Sequence, residues 1–121
     1  MKIILDAMGG DNAPEAVVKG AVRAKKELGV DIVLVGIEEK VRQCLKAEGC
    51  EDIEVVNATE IITMNDDPST ATRRKKNSSM AVALKMLADG EGDAVVSAGN
   101  TGGFFSKHAL SYLKPGTVSV I

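Results

Sequence analysis

Five short apolar runs, with helical patterns between them, constrain this chain more than any other feature. They are Ile3-Ile4-Leu5, Ile32-Val33-Leu34-Val35, Ile53-Glu54-Val55-Val56, Ala94-Val95-Val96 and Val118-Ser119-Val120-Ile121. Most lack polar alternation, the pattern of strands covered on both faces. Between the first two, Pro14 to Leu28 puts Val17, Val18, Ala21, Val22 and Leu28 on one helical stripe. Pro14 suits the first turn of that helix and Gly29 its stop. Glu38 to Glu48 reads as a second helix, with Val41 and Leu45 inward. Ser79 to Ala88 reads as another, with Ala83, Leu84 and Leu87 buried and Gly90 closing it. Strands alternating with helices predict an α/β fold, a parallel sheet and right-handed crossovers. A length of 121 residues allows one domain, 1–121. Aromatics make up only 2% of the chain, so its core is built from Val, Ile, Leu, Ala and Met.

Two of the strands break into loops suited to an anion. Ser97-Ala98-Gly99-Asn100-Thr101-Gly102-Gly103 follows the fourth run, and a helix is expected after Gly103. Asp6-Ala7-Met8-Gly9-Gly10-Asp11-Asn12-Ala13-Pro14 follows the first run and opens the helix at Pro14. Such loops aim backbone N–H groups outward, and a helix N-terminus adds partial positive charge at the same point. In the common strand order 3-2-1-4-5, strands one and four are neighbours where the winding reverses. Ligands of open α/β sheets bind there, beyond the carboxyl ends of the strands. Both loops then face one crevice. Alone, each is equally readable as a tight turn, with Asp11 or Asn12 capping a helix.

The segment from Glu60 to Asn77 is long for a connection, and such insertions often carry function. Asp67 followed by Pro68 reads as the start of a short helix. Arg73-Arg74-Lys75-Lys76 reads either as a solvated face or as a rim that attracts anions. Ser78 and Ser79 read as an N-cap rather than as nucleophiles. His108 has no second histidine near it, and Cys44 and Cys50 fit no disulfide framework or metal pattern, so no metal site is expected. The thiols read as reduced ones in a cytosol. A net charge of −2 argues against general nucleic-acid binding. No run approaches membrane-span length, and Met1-Lys2 leads into a strand rather than a signal peptide. Glu38-Glu39 stands where a dinucleotide fold grips a ribose, but Gly9-Gly10 lacks the G-x-G-x-x-G spacing. A dehydrogenase domain is therefore the alternative reading.

Three blocks in order, Asp6 to Pro14, Arg73 to Met80 and Val95 to Gly102, resemble the PlsX family of bacterial acyl-ACP:phosphate acyltransferases. The resemblance runs from Met1 to about Gly102. It implies a three-layer α/β/α sandwich with a mainly parallel, Rossmann-like sheet, and a homodimer. It also implies acyl transfer from acyl carrier protein to inorganic phosphate in phospholipid synthesis. The acyl phosphate would pass to a membrane glycerol-3-phosphate acyltransferase. No cofactor is implied, and the place of action is cytoplasmic, with peripheral membrane association as a further expectation. The catalytic candidates are Asp11, Asn12 and Asn100. Candidates for binding phosphate or substrate are Gly9, Gly10, Ser97, Gly99, Thr101 and Gly102, with Arg73, Arg74, Lys75 and Lys76. After Gly102 the chain departs from the family with Gly103-Phe104-Phe105-Ser106-Lys107-His108, and it stops in an apolar strand at Ile121. The expectation is an N-terminal portion of a longer acyltransferase. A non-catalytic fragment that binds or dimerises is the other alternative.

Overall fold

A computed structural model describes residues 1–63, 65–67, 69–99 and the backbone of 118–120. The expected helix after Gly103, His108, Ile121 and the loop residues Asn100, Thr101, Gly102 and Gly103 lie outside the described residues.

The chain order is β1 (Lys2–Asp6), α1 (Glu15–Leu28), β2 (Asp31–Gly36), α2 (Glu38–Ala47), β3 (Glu54–Asn57), α3 (Ala71–Arg74), α4 (Ser79–Ala88), β4 (Ala94–Val96) and β5 (Val118–Val120). One parallel sheet runs in the order β3-β2-β1-β4-β5, as the apolar runs predict. Register follows side-chain period: Ile4 lies beside Val33 on one flank and Val95 on the other, so all three point to one face.

That face is covered by α4, whose Met80, Ala83, Leu84 and Leu87 pack with Ile4, Val33, Val35 and Val95. The opposite face is covered by α1 and α2 through Val18, Ala21, Val22, Val41 and Leu45, which meet Ile32, Leu34 and Ile53. Three layers result. Placement follows from handedness: steps from β1 to β3 put helices on one face, and the return from β3 to β4 puts α4 on the other.

Local chemistry sets the ends. Gly29 stops α1 at φ +65° and donates its N–H to the Lys25 carbonyl. No side chain within α2 caps it. Instead Asn57, at the end of β3, accepts the Glu38 N–H at 3.1 Å. Ser78 caps α4 by accepting the Ala81 N–H at 3.2 Å, as its position predicts.

Two expectations are corrected. Leu28 is on the apolar stripe of α1 but is 73% exposed, at an apolar groove beside Ile3, Leu5 and Val96. The short helix begins at Ala71 rather than at Asp67-Pro68. Asp67 Oδ1 instead accepts from the Ser69 N–H and hydroxyl, at 3.0 and 2.8 Å, and this turn delays the helix.

Candidate functional site

The carboxyl ends of β1 and β4 are adjacent, and the loops that leave them touch. A Cβ built on Gly9 would stand 2.7 Å from the Gly99 nitrogen and 3.1 Å from its Cα. Real Cβ atoms do not approach backbone that closely, so glycine is what admits the contact. Gly10, at φ +98°, faces Ala98 just above, with 3.6 Å from its Cβ direction to the Ala98 Cβ. The two loops therefore form one surface at the winding reversal.

Beneath them lies a buried polar chain. Asp6, the last residue of β1, is 2% exposed, and Ser97, the first after β4, is 1% exposed. The Ser97 hydroxyl donates to Asp6 Oδ2 at 2.8 Å and accepts the Gly99 N–H at 3.2 Å. Asp6 Oδ1 accepts the Met8 N–H at 3.1 Å. The N-terminal end of α4 comes to the same place, with the Met80 Cε 3.5 Å from where a Gly99 Cβ would sit.

Asp11 and Asn12 are exposed on the first loop. Neither caps α1, which has no side-chain cap. The Asn12 carbonyl accepts the Ala16 N–H at 3.0 Å. Gly9, Gly10, Ser97 and Gly99 are thus brought together where the two loops meet, and Asp11 and Asn12 follow on the exposed part of the first loop. Asn100, Thr101 and Gly102 lie outside the described residues.

The basic run stands on the excursion between β3 and α4, and its side chains diverge. Arg73 and Arg74 are exposed on α3. Lys75 is half-buried and donates to the Ile61 carbonyl at 2.9 Å and to Asp66 at 3.0 Å. Lys76 lines a groove of about 660 Å³ with Val56, Asn77 and Lys85, on the outer flank of α4. The excursion shares the carboxyl edge of the sheet with the glycine loops, since it starts after β3 and ends at the α4 N-terminus.

Other reactive groups are committed elsewhere. The Asp52 carboxylate accepts from the Cys50 thiol at 2.9 Å and, with burial, pushes that thiol up. Burial does the same to Cys44. A thiol held protonated is a poor nucleophile. Glu38, in the ribose position of a dinucleotide fold, is paired with Arg42 at 2.8 Å. Among the described residues no cluster of His, Cys, Asp or Glu could hold a metal, and no helix is long and apolar enough to cross a membrane.

In the sequence Asp6 stands out only as the start of a loop. Its signal was an acidic residue closing an otherwise apolar strand, where a carboxylate needs partners to be buried.

An open, doubly wound parallel sheet with abutting glycine loops at its reversal point defines a Rossmann-like α/β domain with a loop-built site. A family model described as "Fatty acid synthesis protein" matches residues 1–118. The chain is 51% identical over 120 residues to a phosphate acyltransferase of Endomicrobium trichonymphae, covering 94% of this chain and 35% of that one. It is 51% identical over 104 residues to one from Geobacter sp. (strain M21), covering 84% and 30%, and 44% identical over 103 residues to one from Desulfitobacterium hafniense (strain DSM 10664 / DCB-2), covering 84% and 31%. The chain belongs to this fatty acid synthesis family, the PlsX family that its three blocks resemble. It spans about a third of the length of these curated relatives.

Proposed function

We propose that the protein carrying this domain is a phosphate acyltransferase that moves a fatty acyl group from acyl carrier protein to inorganic phosphate. A phosphate oxygen attacks the thioester carbonyl carbon, the carbon–sulfur bond breaks, and the thiol leaves with a proton. The acyl phosphate then serves a membrane glycerol-3-phosphate acyltransferase in phospholipid synthesis. The protein acts in the cytoplasm as a homodimer. The observation that carries this reading is the contact between the Gly9 and Gly99 loops at the sheet's reversal point, in a chain whose relatives are named phosphate acyltransferase.

Phosphate near neutrality is already substantially a dianion, so the reaction needs placement more than a strong base. Backbone amides of the two loops, with Asn12, Asn100 and Thr101, hold it against the thioester. Fixing two reactants in this way supplies about 7–11 kcal/mol of the barrier. Donors aimed at the developing oxyanion add an electrostatic contribution.

The test is acyl phosphate formation by the full-length protein from acyl-ACP and phosphate, with no nucleotide present. Asn12→Ala and Asn100→Ala are expected to weaken phosphate binding by about 1.5–3 kcal/mol each, read by calorimetry. No acyl phosphate, together with nicotinamide binding, would return the dehydrogenase reading. The exposed cations add a second arm, for an acidic carrier protein. Charge reversal at Arg73, Arg74 and Lys76 raises KM for acyl-ACP more than for acyl-CoA and flattens its salt dependence. Lys75 is left intact there because it is bonded to Asp66.

A further inference from the structure

Acyl transfer to phosphate calls for no carboxylate beneath the anion, yet Asp6 is buried directly under the two loops. Its surroundings fix the direction of each hydrogen bond. Both of its oxygens accept. With Oδ1 taken by the Met8 N–H, Oδ2 receives the Ser97 hydroxyl proton, which leaves the Ser97 oxygen to accept from Gly99. The result is a continuous tie from the β1 loop to the β4 loop, across 91 positions of sequence.

The tie has a mechanical consequence. Gly9 and Gly99 already meet at backbone contact, so the loops cannot move closer, and the hydroxyl–carboxylate bond keeps them from parting. We propose that Asp6 and Ser97 are positioning residues that set the spacing of the phosphate site, acting through Gly9 and Gly99. This rests on the reading of the loops as a phosphate site. Ser97 is then a brace for the Gly99 amide, with its hydroxyl spent inside the protein.

The experiment varies phosphate and acyl donor separately in the full-length protein and its variants. Ser97→Ala removes the tie. Asp6→Asn keeps its shape but turns one of the two acceptor oxygens into an NH2 donor, so the Met8 N–H and the Ser97 hydroxyl can no longer both be accepted. Both are expected to raise KM for phosphate about tenfold, equivalent to about 1.4 kcal/mol, with KM for the acyl donor within about twofold. Ser97→Thr, which keeps the hydroxyl, is expected to return phosphate KM to within about threefold of the parent. A plain loss of fold would move both constants together, and that outcome overturns the proposal. So does an unchanged phosphate KM in Ser97→Ala, or failure of threonine to rescue. Should Ser97→Ala not fold, Ser97→Cys carries the same test with a weak donor in place. Calorimetry with inorganic phosphate separates the two readings. If the parent binds phosphate but transfers no acyl group, the acyltransferase reading fails, and the tie is judged by the same tenfold change in phosphate Kd.

Discussion

At the scale of single residues, the site depends on an absence of side chain. Gly9 meets the Gly99 backbone and the buried Asp6 carboxylate, at 2.7 and 3.1 Å from its Cβ direction. None of these neighbours is the free end of a flexible chain, so an added methyl must push the loops apart. Gly9→Ala is expected to cost about 1–3 kcal/mol in unfolding free energy, the range for overpacking a close contact. Gly20 is the matched control, an exposed glycine inside α1 with nothing within 4 Å of its Cβ direction. Gly20→Ala is expected to stabilise by about 0.5–1 kcal/mol, because alanine is the better helix former. Denaturant titration of both variants checks the pair, and a Gly9→Ala protein as stable as its parent would refute the contact. The glycine-rich character of the loops was legible in the sequence. Which glycines touch was not, because that depends on the relative height of two strands far apart in the chain.

Among the elements, strand order and the faces of α1, α2 and α4 were readable because uninterrupted apolar runs and helical stripes reflect burial directly. The excursion between β3 and α4 was less readable. Its order comes from side chains bonding to backbone, which has no periodic signature. Glu60 exchanges bonds with Asn77 and Ser79 across a short parallel bridge. Asp66 closes a turn on the Thr63 N–H at 2.7 Å and receives Lys75 at 3.0 Å. In the sequence Lys75 looks like its three cationic neighbours, but in the fold it holds this segment together. The Thr63 N–H, and next the Lys75 ammonium, hold the Asp66 carboxyl below its usual range. A carboxyl with a lowered folded pKa contributes stability in full above its unfolded value, about 3.9, and loses it as pH falls through the lowered one. Asp66→Asn should therefore cost about 1 kcal/mol at neutral pH, where the half-exposed pair is partly screened. The gap between the two proteins should close on acidification below about pH 4. Thermal melts across that interval check it, and a pH-independent gap would mean that shape rather than charge holds the turn.

For the molecule as a whole, the two faces of the sheet are unequally covered. Helices α1 and α2 lie over the β1–β2–β3 side, which leaves the flank over β1 and β4 open among the described residues. A groove of about 370 Å³ runs there, lined by Ile3, Leu5, Val17, Ala24, Leu28 and Val96 and almost devoid of polar surface. A contiguous apolar surface of this kind in water promotes association. The chain 1–121 taken alone is expected to enhance the fluorescence of a hydrophobic dye and to self-associate as its concentration rises. Leu28 gives the cleanest handle, because it is 73% exposed and ends a helix whose last turn already carries Lys25 and Lys26. Leu28→Lys suits the negative end of the helix dipole and removes little packing, so stability should stay within about 0.5 kcal/mol of the parent. Dye binding and self-association should both fall, as read by fluorescence titration and sedimentation. If Leu28→Lys lowers stability while dye binding stays unchanged, the side chain is packed in the folded state and the groove is closed in solution.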